Sequence, residues 1–213
     1  MVLSVVTAFI FISICLTIRA KTIHSTTQLL IFKPLTMGLI LFLFIIPGHH
    51  LFDLYFFTIL CGLIFSLIGD VFLIFPEKNF LKGLIGFLTA HLFYIAAFSS
   101  AKPLTVTLWI PLLLLIYGSV IFLILHPSLN KMALPVGFYI VVVIVMTWQA
   151  WERWVWFQNR MTLCAAIGSV LFLISDSLLA FNRFKRSFRM AEVLILSTYF
   201  TAQWLIALSV QSN

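Results

Sequence analysis

The sequence predicts an all-α integral membrane protein with eight transmembrane helices, a prediction that composition, apolar segments and charge distribution support. The chain has 213 residues, of which 63% are hydrophobic and 9% are charged, and its mean hydropathy is +1.17. A soluble domain carries about 25% charged residues, so this chain cannot cover an ordinary water-facing surface. Eight helices of ~20 apolar residues would use most of the chain. We therefore expect one membrane domain over residues 1–213.

Eight apolar segments follow one another along the chain, separated by turn-forming residues. The breaks are Pro47-Gly48, the polar segment 76–79, Lys102-Pro103 and His126-Pro127-Ser128. The first segment lacks the basic start of a signal peptide, so it predicts a spanning helix. The predicted helices cover residues 1–18, 29–46, 52–75, 80–99, 103–125, 133–151, 161–181 and 189–210.

Basic residues are distributed unequally between the two sets of loops, nine against three. Because Lys and Arg favour cytoplasmic loops, the richer set predicts the cytoplasmic side and places both termini outside. This distribution also accounts for the net charge of +7, so we expect no nucleic-acid partner. We expect the inner membrane of a bacterium. The richer set is Arg19, Lys21, Lys78, Lys82, Lys131, Arg183, Lys185, Arg186 and Arg189; the other is Lys102, Arg153 and Arg160.

Two segments about 100 residues apart resemble each other. GLIFSLIGDVFLIF begins at Gly62 and GSVLFLISDSLLAF begins at Gly168, and each places an aspartate eight residues after its glycine. Asn182 ends the second predicted helix of this pair. Since four helices separate the two copies, they would share one orientation, which favours a parallel 4+4 helix repeat.

Several polar side chains fall inside the predicted helices, where an ionisable group is costly and is by default a candidate for function. At ~1.5 Å per residue, the two aspartates would lie roughly 7 Å from the cytoplasmic helix ends, and the histidine and tyrosine about 15 Å. One membrane face would thus give access to all of them. The set is Lys33, Asp70, His91, Asp176, Tyr199 and Gln203, with Ser66 on the same helical face as Asp70.

Each candidate also has a purely structural interpretation. Lys33 can extend towards the headgroups, and the aspartates can be structural groups bonded to Lys33, a serine or a helix end. His91 and Tyr199 can be ordinary packing residues. One histidine and two aspartates are a weak pattern for a metal site, and no other metal or cofactor motif is found. We therefore predict no metal and no cofactor.

Five short motifs make the sequence resemble the YhhN family of membrane proteins, whose animal members are lysoplasmalogenases. They are spread over about 175 residues, so the likeness extends along nearly the whole chain. The motifs are FKPLT at 32–36, GLIFSLIGD at 62–70, FLTAHLFY at 87–94, FLISD at 172–176 and TYFTAQWLI at 198–206.

This resemblance implies hydrolysis of the vinyl ether bond of a lysoplasmalogen, which yields a fatty aldehyde and glycerophospho-ethanolamine or -choline. Such a reaction needs an acid that protonates the alkene and an anion that stabilises the resulting oxocarbenium, roles that Asp70 and Asp176 can share. His91 would orient or deprotonate water, and Lys33 would hold the lipid phosphate. Ser66, Asn182, Tyr199 and Gln203 are further candidate substrate contacts.

A multi-pass transporter or lipid flippase is the alternative function, because a parallel repeat with intramembrane Asp and His also suits alternating access. The position of the predicted cluster near one membrane face argues against it, since transporters bind near the midplane. The sequence does not indicate an oligomeric state. The lysophospholipid and the bilayer are the partners that the hydrolase interpretation predicts.

The predicted orientation can be tested by labelling engineered cysteines. With both termini outside, an impermeant thiol reagent applied to intact cells should label Gln211→Cys and leave Ser187→Cys unlabelled. Permeabilised cells, in which both sites should react, provide the control. The reverse pattern in intact cells would place the aspartates near the outer face.

Overall fold

A computed structural model describes residues 2–46, 53–100 and 107–210, and these are folded almost entirely into α-helices. Pro47-Gly48, Lys102-Pro103 and Gln211 lie outside the described residues. The helices are α1 (Val2–Thr22), α2 (Thr26–Ile45), α3 (Leu54–Phe72), α4 (Pro76–Ser99), α5 (Trp109–Leu129), α6 (Ala133–Phe157), α7 (Arg160–Phe184) and α8 (Ala191–Leu208), with a 3-10 turn, Asn130–Met132, between α5 and α6.

Seven helical stretches of the described chain are long and apolar enough to cross a membrane. One of them, Trp109–Phe157, is 49 residues long and contains α5, the 3-10 turn and α6. A straight helix of that length would measure about 74 Å, more than twice the ~30 Å of hydrocarbon. Instead, α5 and α6 pack against each other. The all-helical membrane class is thus confirmed, while the count of eight spans stays a prediction.

Several predicted helix ends differ from the observed ones; α1 continues to Thr22 instead of ending at 18, and α6 continues to Phe157 instead of ending at 151. The break expected at His126-Pro127-Ser128 is wrong, because α5 continues to Leu129 and the chain turns at Asn130, whose φ is 46°. Pro127 lies in the last turn of α5, where few helical residues follow it. Pro76 begins α4 instead of separating two helices, and Asn182 lies within α7.

Glycines let the two closest helix pairs, α3–α4 and α7–α8, approach each other. A Cβ on Gly86 would lie 2.9 Å from the Cα of Gly69, and a Cβ on Gly168 would lie 3.0 Å from the backbone oxygen of Ala202. A Cβ on Gly62 would overlap the ring of Tyr94. Small residues at such crossings allow tight packing in lipid, where hydrophobic burial between helices contributes little.

Gly62→Ala should destabilise the protein, because the added methyl group must displace the buried Tyr94 ring. Overpacking of this kind costs typically 1–3 kcal/mol, and the melting temperature in detergent should fall. Gly38→Ala is the matched control, since no atom lies within 4 Å of its added Cβ. Equal melting temperatures for the two variants would contradict the packing of α3 on α4.

Candidate functional site

A cavity of about 300 Å³ opens at the end of the bundle where α3 ends and α4 begins. Its wall combines apolar side chains with both aspartates that the sequence singled out. Among the predicted site residues, it includes Lys33, Asp70, Asp176, Asn182 and Tyr199. Side chains from α2, α3, α7 and α8 therefore converge on one space. The other polar lining residues are Lys21, Glu77, Ser175, Arg183 and Glu192.

Asp70 has partners on both carboxylate oxygens. Lys33 Nζ lies 3.0 Å from Oδ1 and also donates to the Asp70 backbone oxygen at 3.3 Å. Tyr199 donates its hydroxyl proton to Oδ2 at 2.6 Å. All three residues are buried, with 7% or less of their surface exposed. Lys33 thus points towards Asp70 in the interior instead of the headgroups, and the geometry is that of an ion pair.

Asp176 has a different environment. Tyr139 donates to its Oδ2 at 2.8 Å, and His91 Nε2 lies 3.7 Å from the same oxygen, which is too long for a hydrogen bond. Among the described residues, no Lys or Arg nitrogen lies within 4.0 Å of this carboxyl group. Its side chain remains 14% exposed. Asp176 therefore lacks the permanent cation that Asp70 possesses.

Three predicted site residues lie behind the cavity wall: Ser66, His91 and Gln203 are fully buried and are not among the residues that line it. Tyr94 donates to Gln203 Oε1 at 2.7 Å. The Ser66 hydroxyl lies close enough to Tyr94 to interact with it electrostatically. Within the described chain, no partner with hydrogen-bond geometry reaches the Ser66 hydroxyl, Gln203 Nε2 or either nitrogen of His91. These residues surround the aspartates without reaching the cavity.

An apolar groove meets the polar cavity at Asp176. It runs between α4, α5, α6 and α7 and is lined almost wholly by hydrophobic side chains, with Tyr139 on its wall. Cavity and groove share the side chains of Leu73, Phe80, Phe87, Asp176 and Leu179. An amphiphile with its polar end in the cavity and its chain in the groove would thus pass directly by the Asp176 carboxyl group.

Two ion pairs contribute to the polar end of the cavity. Arg183 Nη1 lies 2.8 Å from Glu77 Oε1, and Lys21 Nζ lies 3.7 Å from Glu192 Oε1. All four side chains are at least a quarter exposed. Solvent-exposed pairs are worth only ~0–1 kcal/mol, so a charged ligand can replace one partner at little cost.

The sequence predicts that the two aspartates lie equally far from the ends of their helices. The structure shows unequal distances. Asp70 lies two residues before the end of α3 at Phe72, whereas Asp176 lies eight residues before the end of α7 at Phe184. The cause is local: α3 stops before Pro76, while the sequence after Asp176 continues as helix. The two side chains nevertheless line the same cavity.

Tyr139 is the main site residue that the sequence interpretation missed. The offset between the two similar segments would have found it, because 106 residues separate Lys33 from Tyr139, as they separate Asp70 from Asp176 and Gly62 from Gly168. Tyr94 lies within a recognised motif but was not assigned a role. No group of three or more metal-ligating side chains occurs in the ranges that the structure describes.

Comparison with known proteins gives a consistent result. The profile of the YhhN family matches residues 28–210. The uncharacterised membrane protein YhhN of Escherichia coli O6:H1 is 30% identical over 203 residues, which are 93% of this chain and 97% of that protein. No solved structure matches the chain.

Animal relatives match a shorter part of the sequence. Lysoplasmalogenase TMEM86A of Bos taurus is 35% identical over 71% of this chain and 64% of that protein. Human lysoplasmalogenase TMEM86B is 35% identical over 70% of this chain and 61% of that protein. This chain therefore spans less than two thirds of the length of these animal relatives. The family match over most of the sequence and the full-length bacterial relative show that the chain is a multi-pass integral membrane protein of the YhhN family.

Proposed function

We propose that this protein is a lysoplasmalogenase that hydrolyses the vinyl ether bond of a lysophospholipid within the membrane. The observation that carries the proposal is the position of Asp176 where a polar cavity meets an apolar groove, with the ion-paired Asp70 in the wall of the same cavity. The names of the animal relatives support this substrate class.

The shape of the site suits the three parts of such a lipid. The phosphate would lie near Lys21 and Arg183, where cations line the cavity. The alkenyl chain would occupy the apolar groove between α4 and α7. The vinyl ether, which joins glycerol to the chain, would then lie beside Asp176. The substrate would enter sideways from the bilayer without leaving its hydrophobic surroundings.

The reaction can proceed by general acid catalysis. A carboxylic acid donates its proton to the alkene carbon that does not carry oxygen, and the π electrons form the new C–H bond. The ether oxygen shares a lone pair with the adjacent carbon, which gives an oxocarbenium ion that the second, ionised carboxylate stabilises. Water adds to this carbon and loses a proton to the carboxylate that acted as the acid. The hemiacetal then separates into a fatty aldehyde and the glycerol hydroxyl.

Lys33 has a different role in this proposal from the phosphate contact that the sequence suggested. Its ammonium group already contacts the Asp70 side chain and backbone oxygens. We therefore assign it to keeping Asp70 ionised. A buried carboxylate without a partner would be destabilised by several kcal/mol or would take up a proton.

The proposed architecture has eight spans arranged as a parallel 4+4 repeat. Three features support it: the reversal between α5 and α6, the 106-residue offset, and the equivalent close pairs α3–α4 and α7–α8. In both halves, the aspartate meets a residue of the preceding helix, Lys33 for Asp70 and Tyr139 for Asp176.

Asp70→Asn and Asp176→Asn should each abolish aldehyde release from lysoplasmenyl lipid by the purified protein. Asn keeps the side-chain shape but supplies neither an acidic proton nor a negative charge, and loss of general acid catalysis typically costs ~10²–10⁴ in rate. The measurement is kcat and KM with an aldehyde-trapping assay, alongside melting temperatures. Wild-type protein that releases no aldehyde would refute the proposed function, and near-normal kcat in both variants would remove the carboxylates from catalysis and favour transport.

A double variant controls for folding, because Asp70→Asn alone leaves Lys33 as an unpaired buried cation. Removing both partners with Lys33→Met and Asp70→Asn should restore the melting temperature but not the activity. Each single variant should be less stable than the double variant, since breaking a buried pair from either side costs ~3–5 kcal/mol. Activity in the double variant would show that no anion is needed at this position.

Substitutions at the polar end of the cavity should affect binding instead of chemistry. Lys21→Gln and Arg183→Gln should each raise KM with little change in kcat, because the phosphate contact is the same in the ground and transition states. Lys82→Gln is the matched control: Lys82 is a basic residue of α4 that lies over the Phe72 ring and is not among the cavity-lining residues. An equal rise in KM for Lys82→Gln would point to general surface charge.

A further inference from the structure

The two aspartates differ in how many of their oxygens are free. In Asp70, Lys33 occupies Oδ1 and Tyr199 occupies Oδ2. In Asp176, the Tyr139 hydroxyl occupies Oδ2, and no hydrogen bond within the described residues reaches Oδ1. Asp70 therefore has the surroundings of a carboxylate with both oxygens accepting, whereas Asp176 has one oxygen on which a proton can reside.

We propose that Asp176 is the proton donor of the reaction and that Tyr139 is the positioning residue that holds the acidic proton on Oδ1. This inference rests on the proposed function and specifies which carboxyl group performs which step. Tyr139 is not expected to touch the reacting atoms; it acts through Asp176.

The hydrogen-bonding capacity of a phenol supports this assignment. The Tyr139 hydroxyl is buried against α7, and Asp176 Oδ2 is the one acceptor that it reaches among the described residues. A buried phenol without an acceptor would leave its proton unsatisfied, at a cost of ~1–3 kcal/mol. If the acidic proton were on Oδ2, both it and the Tyr139 hydroxyl proton would lie between the two oxygens. Only one of these protons could be donated across that contact, and the other would have no acceptor. The favoured arrangement has Tyr139 donating to Oδ2 and the carboxyl proton on Oδ1.

His91 also lies near Oδ2 of Asp176. Its ring is fully buried, packs edge-on against Phe172 and Tyr139, and places Nε2 3.7 Å from Oδ2. The Tyr139 hydroxyl and the His91 ring thus both lie beside the same carboxyl oxygen. Oδ1 is the oxygen left for a ligand, in a residue that lines both the cavity and the groove. The proton would face the position proposed for the vinyl ether.

Infrared spectroscopy combined with kinetics on the purified full-length protein tests this inference. A protonated carboxyl group shows a C=O stretching band that no carboxylate has. This band should disappear in Asp176→Asn and persist in the double variant Lys33→Met/Asp70→Asn. In Tyr139→Phe it should move to higher wavenumber, because the carbonyl oxygen Oδ2 loses its hydrogen bond. If Tyr139 contributed only packing and no hydrogen bond to Oδ2, the band would stay unchanged.

The kinetic result should agree with the spectrum. Tyr139→Phe should lower kcat roughly tenfold, the rate equivalent of about one hydrogen bond, with KM nearly unchanged. Tyr55→Phe is the matched control, since it removes a buried phenol that bonds to Ser209 at 2.7 Å at the opposite end of the bundle; it should leave both the band and kcat unchanged.

Two results would overturn the inference: loss of the band in the Asp70 double variant instead of Asp176→Asn, or unchanged band and kcat in Tyr139→Phe. Both are distinct from failure of the proposed function, which shows as absence of aldehyde from the wild-type protein. The infrared result needs no substrate, so it reports on the proton whatever lipid the protein hydrolyses.

Discussion

The ion pair between Lys33 and Asp70 is the interaction on which the arrangement of the site depends. An ionised carboxylate in the interior of a membrane protein is tolerated only with a partner, and here the partner comes from the neighbouring helix. Tyr199 adds a third helix by donating to the same carboxyl group. Because each contact is lost if α2, α3 or α8 shifts, the charged group holds these helices in register around one side of the cavity.

Close helix packing determines what surrounds that pair. The glycines of α3 and α4 bring α4, which carries Phe87 and His91, against α3. The rings of Phe87, Phe172 and Tyr199 contact one another, and those of Phe87 and Tyr199 line the cavity. This packing places a polar cavity and an apolar groove side by side, with Asp176 as the one carboxyl group that lines both among the described residues. A site that must accept both ends of a lipid requires this combination, since neither a wholly polar nor a wholly apolar pocket would accommodate an amphiphile.

In the proposed repeat, the two halves of the site would provide unlike carboxyl groups. At equivalent positions, one aspartate faces the ammonium group of Lys33 and the other faces the phenol of Tyr139. A cation stabilises the ionised form of a carboxyl group, whereas a single neutral donor on one oxygen leaves the other oxygen able to carry a proton. A single difference between the preceding helices thus accounts for the proposed division between a stabilising anion and a proton donor. The proposed mechanism needs both kinds of carboxyl group.

The amino-acid sequence by itself determined the membrane class and most helix positions, and it singled out both aspartates as candidate site residues. It did so because these features depend on local composition and on the cost of placing charge in lipid, both of which are visible residue by residue. The tertiary structure alone decided the position of Lys33, the burial of His91, Ser66 and Gln203 behind the wall, and the contact of Tyr139 with Asp176. Helical periodicity shows which residues share a face of one helix, but the rotation and tilt of neighbouring helices decide which faces meet. Those depend on side-chain packing at the glycine crossings, which brings together residues as distant along the chain as Asp70 and Tyr199.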